Sequence, residues 1–175
     1  MKKYIPYATS KNIFDIEPDF YVDIGIKNLI IDLDNTLDCY KSDIPSIEVK
    51  EYINKLLNKN LNLIIISNNT KKRVSKYANV LNIKYISSAC KPFRFKIKRY
   101  LKNNNLVYKQ TILIGDQLLT DIKVANKLHI KSIFVEKLVE SDQWTTRFNR
   151  FFERKIKNKL LKRNLLVDWR KIWEK

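Results

Sequence analysis

Cysteine, histidine and long apolar runs are all scarce in this chain, and each scarcity removes a class of explanation. The two cysteines, Cys39 and Cys90, stand far apart with no Cys-x-x-Cys spacing, which argues against a zinc site or a disulfide framework. They fit a reducing compartment and are read as passive. The single histidine, His129, lies outside every motif and receives no role. Nowhere do about 18 apolar residues run together, so no membrane-spanning helix is expected. After Met1-Lys2-Lys3 the sequence meets Pro6, Thr9, Ser10 and Lys11, which leaves no apolar stretch for a signal peptide. The expected setting is the cytoplasm, with peripheral attachment to the inner face of a membrane allowed. Acidic residues are outnumbered as well. Against 35 Lys and Arg there are 18 Asp and Glu, a formal net charge of +17. That balance invites an anionic partner: nucleic acid, an acidic membrane surface or a phosphorylated substrate.

What is present is enough for a core. With 175 residues, 45% of them apolar, the chain is read as one globular domain over residues 1–175. Its central stretch is Leu29-Ile30-Ile31-Asp32-Leu33-Asp34-Asn35-Thr36-Leu37, an apolar run ending in two carboxylates. Such a run reads as a buried strand delivering acids at its carboxyl end, where open α/β sheets keep their chemistry. Further strands are expected at Leu63 to Ile66, Tyr85-Ile86, Thr111 to Ile114 and Lys131 to Val135. Helices are expected near Pro18 to Asp23, at Lys50 to Leu57 behind a Ser46 cap, from Thr70 to about Leu81, from about residue 93, and from about Thr120 to Leu128. Ile47 and Phe93 are placed on the apolar faces of their helices. This alternation implies right-handed crossovers and a mainly parallel sheet.

Three apolar strands end in polar clusters: Asp32-x-Asp34-x-Thr36, Ser67-Asn68-Asn69, and Gly115-Asp116 with Asp121 further on. A parallel sheet brings those ends to one edge. Lys91 joins them, just before the helix that follows the third strand. Acids gathered this way repel unless a hard cation neutralises them, and Mg²⁺ with oxygen ligands is the natural choice. A cation, a positioned lysine and an attacking carboxylate are also what phosphoryl transfer needs.

In this order and spacing, the residues resemble the four motifs of the haloacid dehalogenase superfamily. Gly25-Ile26-Lys27, Asp32-Leu33-Asp34-Asn35-Thr36-Leu37, Ser67-Asn68-Asn69, Lys91-Pro92 and Gly115-Asp116-Gln117-Leu118-Leu119-Thr120-Asp121 resemble more narrowly its subfamily IIIA branch, which contains phosphatidylglycerophosphate phosphatases. The chain departs from that pattern at Asp38 and Cys39, where apolar residues are expected, and at Val124-Ala125-Asn126, which lacks glycine. The resemblance implies a Rossmann-like three-layer α/β sandwich and a set of roles. Asp32 would attack phosphorus and form an aspartyl phosphate, while Asp34 would serve the leaving alcohol and then water. Thr36 would hold Asp34 or the phosphoryl group. Ser67 and the backbone amide of Asn68 would bind phosphoryl oxygens, with Lys91 offsetting their charge. Mg²⁺ would sit on Asp32, the carbonyl of Asp34 and Asp116, with Asp121 behind, orienting Lys91 or a metal water.

The gaps between motifs leave no room for a cap domain, which points to a substrate that is large or attached to something large, unless a second subunit supplies the lid. From Trp144 onward Phe148, Phe152, Ile156 and Leu160 recur every four positions, with Arg147, Arg150, Arg154 and Lys157 on another face. This predicts a basic amphipathic helix over about 144–166, packed on the sheet, held against anionic headgroups, or both. Trp169 and Trp173 are either interfacial or a clamp on the domain. The leading reading is thus an Mg²⁺-dependent phosphatase of phosphatidylglycerophosphate, a phosphorylated lipid, at a membrane surface. Alternatives are a phosphatase of nucleic-acid ends or phosphosugars, and a non-catalytic basic module for RNA or ribosomes.

Overall fold

Side-chain alternation in four apolar strands decides the architecture. The computed structural model describes residues 1–138 and 144–174, with backbone alone for 144–150. Its strands are β1 (Ala8–Ser10), β2 (Asn28–Asp32), β3 (Asn62–Ile66), β4 (Lys84–Ile86), β5 (Thr111–Gly115) and β6 (Lys131–Val135). They form one sheet in the order β1-β6-β5-β2-β3-β4, and every neighbouring pair is parallel. The register aligns Ile31 with Ile65 and Ile114, so the strands carrying the motifs end level with one another.

Successive side chains of a strand face opposite sides, and here both sides are covered. Leu29, Ile31, Ile65, Ile112 and Ile114 face one layer with Phe20, Tyr52, Ile53, Val74 and Tyr77. That layer holds α1 (Pro18–Asp23), α2 (Ile47–Asn58), α3 (Lys71–Leu81) and α7 (Trp169–Trp173). Ile30, Ile64, Ile66 and Leu113 face the other layer, where α4 (Phe95–Asn103) and α5 (Lys123–Leu128) bring Ile97, Leu101, Val124 and Leu128. This is the three-layer sandwich expected, and among the described residues no cap domain interrupts it.

Several elements depart from the sequence reading. Ile47, the first residue of α2, is exposed, because the Ser46 cap fixes the helix start so that Val49, Tyr52, Ile53 and Leu56 turn inward. The Ser46 side chain accepts from the Val49 amide at 3.2 Å. Phe93 lies outside α4, which starts at Phe95, and is exposed too. Thr70 occupies the N-cap position of α3 without a side-chain cap bond. The helix expected from Thr120 opens instead with one π-type turn, Leu118–Ile122, before α5. β1 was not expected at all.

At the carboxyl end of the chain, α6 (Trp144–Leu161) stops five residues short of the range expected, and Asn164 takes a left-handed conformation (φ 51°) in the turn beyond it. Leu160 is fully buried with Leu118, Ile122 and Phe134, and Ile156 packs beside them, whereas Phe151 and Phe152 are exposed. Among the described side chains of the stripe, Leu160 and Ile156 are the ones packed on the domain; the side chains of Arg147, Phe148 and Arg150 lie outside the described set. Trp169 and Trp173 resolve as a clamp: both rings contact Phe20, and the Trp173 indole donates to Asp23 at 2.7 Å. No described helix is long and apolar enough to cross a membrane.

Candidate active site

β2 ends at Asp32, where the chain turns through Asn35 in a left-handed conformation (φ 66°) that asparagine tolerates well. The turn separates the two carboxylates. Asp32 is buried beneath the sheet edge, and Asp34 points toward the mouth.

Lys91 is the hub of the buried part. Its ammonium bonds Asp32 and, at 2.6 Å, Asp121. Burial alone would strip its proton, but Asp121 and Asp32 outweigh that, and the ammonium is held above the usual lysine range. Asp32 is pushed well up by burial and by the neighbouring Asp121, Asp116 and Asp34, against the pull of Lys91. Such a field favours added positive charge. Oxygens of Asp32, Asp116 and Asp121 lie within 4.8 Å of one another, and all three residues are buried. An all-oxygen set on that scale suits one hard divalent cation.

The run from Gly115 to Asp121 folds on itself to hold this arrangement. Asp121 accepts from the Gln117 amide at 3.2 Å while its own amide donates to the Gln117 carbonyl at 2.9 Å. Gly115 is required for a different reason. A Cβ there would stand 2.4 Å from the Asp121 carboxyl carbon, so only a glycine lets that side chain pass to Lys91.

At the mouth, Ser67 donates to Asp34 at 2.8 Å and accepts from the Asn69 amide at 2.9 Å. Of the two partners expected for Thr36, Asp34 is not met by any described bond; the Thr36 hydroxyl lies at 3.4 Å from Asp32 and 3.5 Å from Asp116. It braces the buried acids instead.

Two contacts escaped the sequence reading. Arg73, in the first turn of α3, grips Asp34 through Nε at 3.2 Å and a terminal nitrogen at 2.8 Å, and also donates to the Ser42 carbonyl at 3.1 Å. Asn68 acts through its side chain: Oδ1 accepts from the Lys91 amide at 2.7 Å and Nδ2 donates to the Lys91 carbonyl at 3.1 Å. A two-bond clamp thus fixes the backbone whose ammonium enters the acid cluster. Asp38 is explained as well, since it accepts from Tyr77 at 2.8 Å and from the Ser46 amide at 3.3 Å, tying the loop after β2 to α3 and α2.

The arrangement combines a buried carboxylate against a charged lysine, a hydroxyl-bearing strand end, and a second carboxylate at an open edge. Comparisons with known proteins agree with that chemistry. The family model described as mitochondrial PGP phosphatase matches residues 1–140. The probable phosphatase YqeG of Bacillus subtilis (strain 168) is 34% identical over 168 residues, covering 96% of this chain and 97% of that protein. Among solved structures, an uncharacterized protein from Listeria monocytogenes serotype 4b superposes with a TM-score of 0.54 at 17% identity, covering 67% of this chain and 85% of that one. The cobalt-bound deoxy-D-mannose-octulosonate 8-phosphate phosphatase of Haemophilus influenzae gives 0.51 at 15% identity, covering 64% and 69%. The structural likenesses speak for the fold, and the match across most of the sequence speaks for the chemistry: this chain belongs to the PGP phosphatase family and is a phosphomonoesterase.

Proposed function

We propose that the protein dephosphorylates phosphatidylglycerophosphate at an anionic membrane surface, through an aspartyl phosphate and with Mg²⁺ as cofactor. The observation that carries the chemistry is the buried convergence of Asp32, Asp116 and Asp121 on the Lys91 side of the sheet edge. Asp32, Asp116 and the Asp34 carbonyl would hold the cation, which supplies charge neutralisation for the phosphoryl oxygens.

An Asp32 oxygen attacks phosphorus, forming the acyl phosphate bond as the bond to the lipid glycerol oxygen breaks. Asp34 gives that oxygen its proton. Asp34 then takes a proton from water, whose oxygen attacks the same phosphorus, returning Asp32 and releasing inorganic phosphate. Lys91 balances charge beside Asp32 throughout. Ser67 turns its hydroxyl from Asp34 to a phosphoryl oxygen, joined by the Asn68 amide. The open edge supports a large substrate, and the name of the matched family supports the lipid. The basic face of α6 supports attachment to anionic headgroups.

The test is phosphate release from phosphatidylglycerophosphate in mixed micelles, with Mg²⁺ or EDTA, for wild type and Asp32→Asn. Release that needs Mg²⁺ and vanishes in the variant is expected. If wild type hydrolyses a generic aryl phosphate and leaves the lipid intact, the lipid assignment falls and phosphosugars and nucleic-acid ends become the substrates to try.

A further inference from the structure

Both flanks of the site present apolar side chains to solvent. Phe93 and Phe95, two and four residues beyond Lys91, are 59% and 75% exposed. Across the mouth, Ile44 and Ile47 are 60% and 75% exposed. They border Asp43, which pairs with Lys76 at 3.0 Å and with the site's own Arg73 at 3.4 Å. One exposed apolar residue needs no explanation, but four at the starts of α2 and α4 and in the segments leading into them do.

The second observation is electrostatic. Behind Phe93, a cleft of about 420 Å³ is lined by Arg94, Lys98, Lys109 and Lys127, together with Tyr108 and His129, and by no carboxylate. Arg94 donates to the Lys127 carbonyl at 3.0 Å, and the Lys127 ammonium sits over the Phe93 ring at 5.9 Å. Among the described residues none of these four cations has an acidic partner. Cations gathered without acids repel one another, and a bound anion relieves that repulsion.

We propose that this edge is the docking face for an anionic bilayer, with Phe93, Phe95, Ile44 and Ile47 entering the interface and Arg94, Lys98 and Lys127 holding lipid phosphates. The inference rests on the lipid-phosphatase reading and moves the point of attachment from α6 to the rim of the site. Aromatic and basic groups together would also suit RNA. The isoleucines decide between the two, because an aliphatic side chain offers nothing for a base to stack on and is at home in hydrocarbon. Docked this way, the bilayer itself closes the uncapped mouth, with Lys91 two residues from an anchor.

The test is flotation with vesicles of phosphatidylcholine and phosphatidylglycerol over a salt series. The wild type floats. Phe93→Ser with Phe95→Ser lowers the partition by about tenfold per side chain. Arg94→Gln with Lys98→Gln and Lys127→Gln lowers it by about fivefold per charge at low salt and flattens the salt dependence. Val80→Ser, a half-exposed apolar position in α3, in the opposite layer from α4 and α5, floats as wild type does. Thermal melts confirm that each variant is folded.

A wild type that stays off the vesicles, substitutions that leave flotation unchanged, a Val80→Ser loss as large as that of the phenylalanines, or RNA retention in place of vesicle binding each overturn the docking face. Micelle hydrolysis separates the two ideas. Lipid hydrolysis without vesicle binding removes the docking face and keeps the lipid reading. Vesicle binding through these residues without lipid hydrolysis keeps the docking face and removes that reading.

Discussion

Arg73 gives the site its least anticipated feature, a guanidinium fork closed on the carboxylate at the mouth. Two donors fix the orientation of Asp34 as a single ammonium would not. Arg73→Lys keeps the charge and loses the fork, so kcat on an aryl phosphate is expected to fall by about tenfold with KM little changed. A KM effect with normal kcat would instead mean that Arg73 binds substrate. Gly115 makes a sharper case. Gly115→Ala forces its Cβ against Asp121 and so pushes that side chain off Lys91. Overpacking of this kind costs about 1–3 kcal/mol, read as a drop in the urea midpoint, and activity falls with it. At this scale the sequence was informative about which acids gather, because apolar strands ending in Asp or Ser can only deliver them to one edge. It was silent about Arg73, since Lys71, Lys72, Arg73 and Lys76 look alike until the first turn of α3 is placed over Asp34. The two-bond clamp by Asn68 was equally hidden, as it depends on the path of residues 88–92.

Among the elements, α6 shows how far periodicity can be trusted. A four-residue repeat of apolar side chains gives a helix but not the length of it that finds a partner. Leu160 fills a buried position against Leu118, Ile122 and Phe134, while Phe151 faces solvent with Lys155 4.5 Å above its ring. Leu160→Ala is therefore expected to cost about 2–5 kcal/mol. Phe151→Ala is expected to stay within about 0.5 kcal/mol, as exposed substitutions do. Equal losses from both in a denaturant titration would mean that the whole stripe is packed. The strands were the most legible elements, since β2, β3, β5 and β6 are apolar on both faces. β1 was not, because Ala8-Thr9-Ser10 has no apolar run and is a strand only by virtue of its pairing with β6. Ile47 and Phe93 were misplaced for a related reason: each sits at a helix boundary, where one residue of shift changes the face.

For the molecule as a whole, the segment before β2 is fastened to α2 by buried phenols. Tyr52 donates to the Ile16 carbonyl at 3.0 Å, and its oxygen lies 3.4 Å from that of Tyr21. Burial pushes both phenols above their ordinary value of 10.0. Below about pH 10 both stay protonated folded or unfolded, and their contribution is intact. Above it the unfolded chain releases protons that the folded one keeps, so stability falls by about 1.4 kcal/mol per pH unit for each phenol. Tyr77 and Lys91, also held above their ordinary values, add to the same slope; in urea midpoints between pH 9 and 11, Tyr52→Phe should lower it by about 1.4 kcal/mol per pH unit without abolishing it.

The sheet order has one more consequence. β1 pairs only with β6, and the opposite edge of β1 is met by the Val167–Trp169 segment, with the Thr9 amide donating to the Val167 carbonyl at 2.8 Å. β1 thus waits for β6 and then for α7. During translation β2, β3 and β4 can assemble before β6 exists, but β1 has no sheet partner until β6 has been made. Loss of the segment from Val167 onward would leave Phe20 without the Trp169 ring that packs against it, so a cut there is felt in α1, far off in sequence.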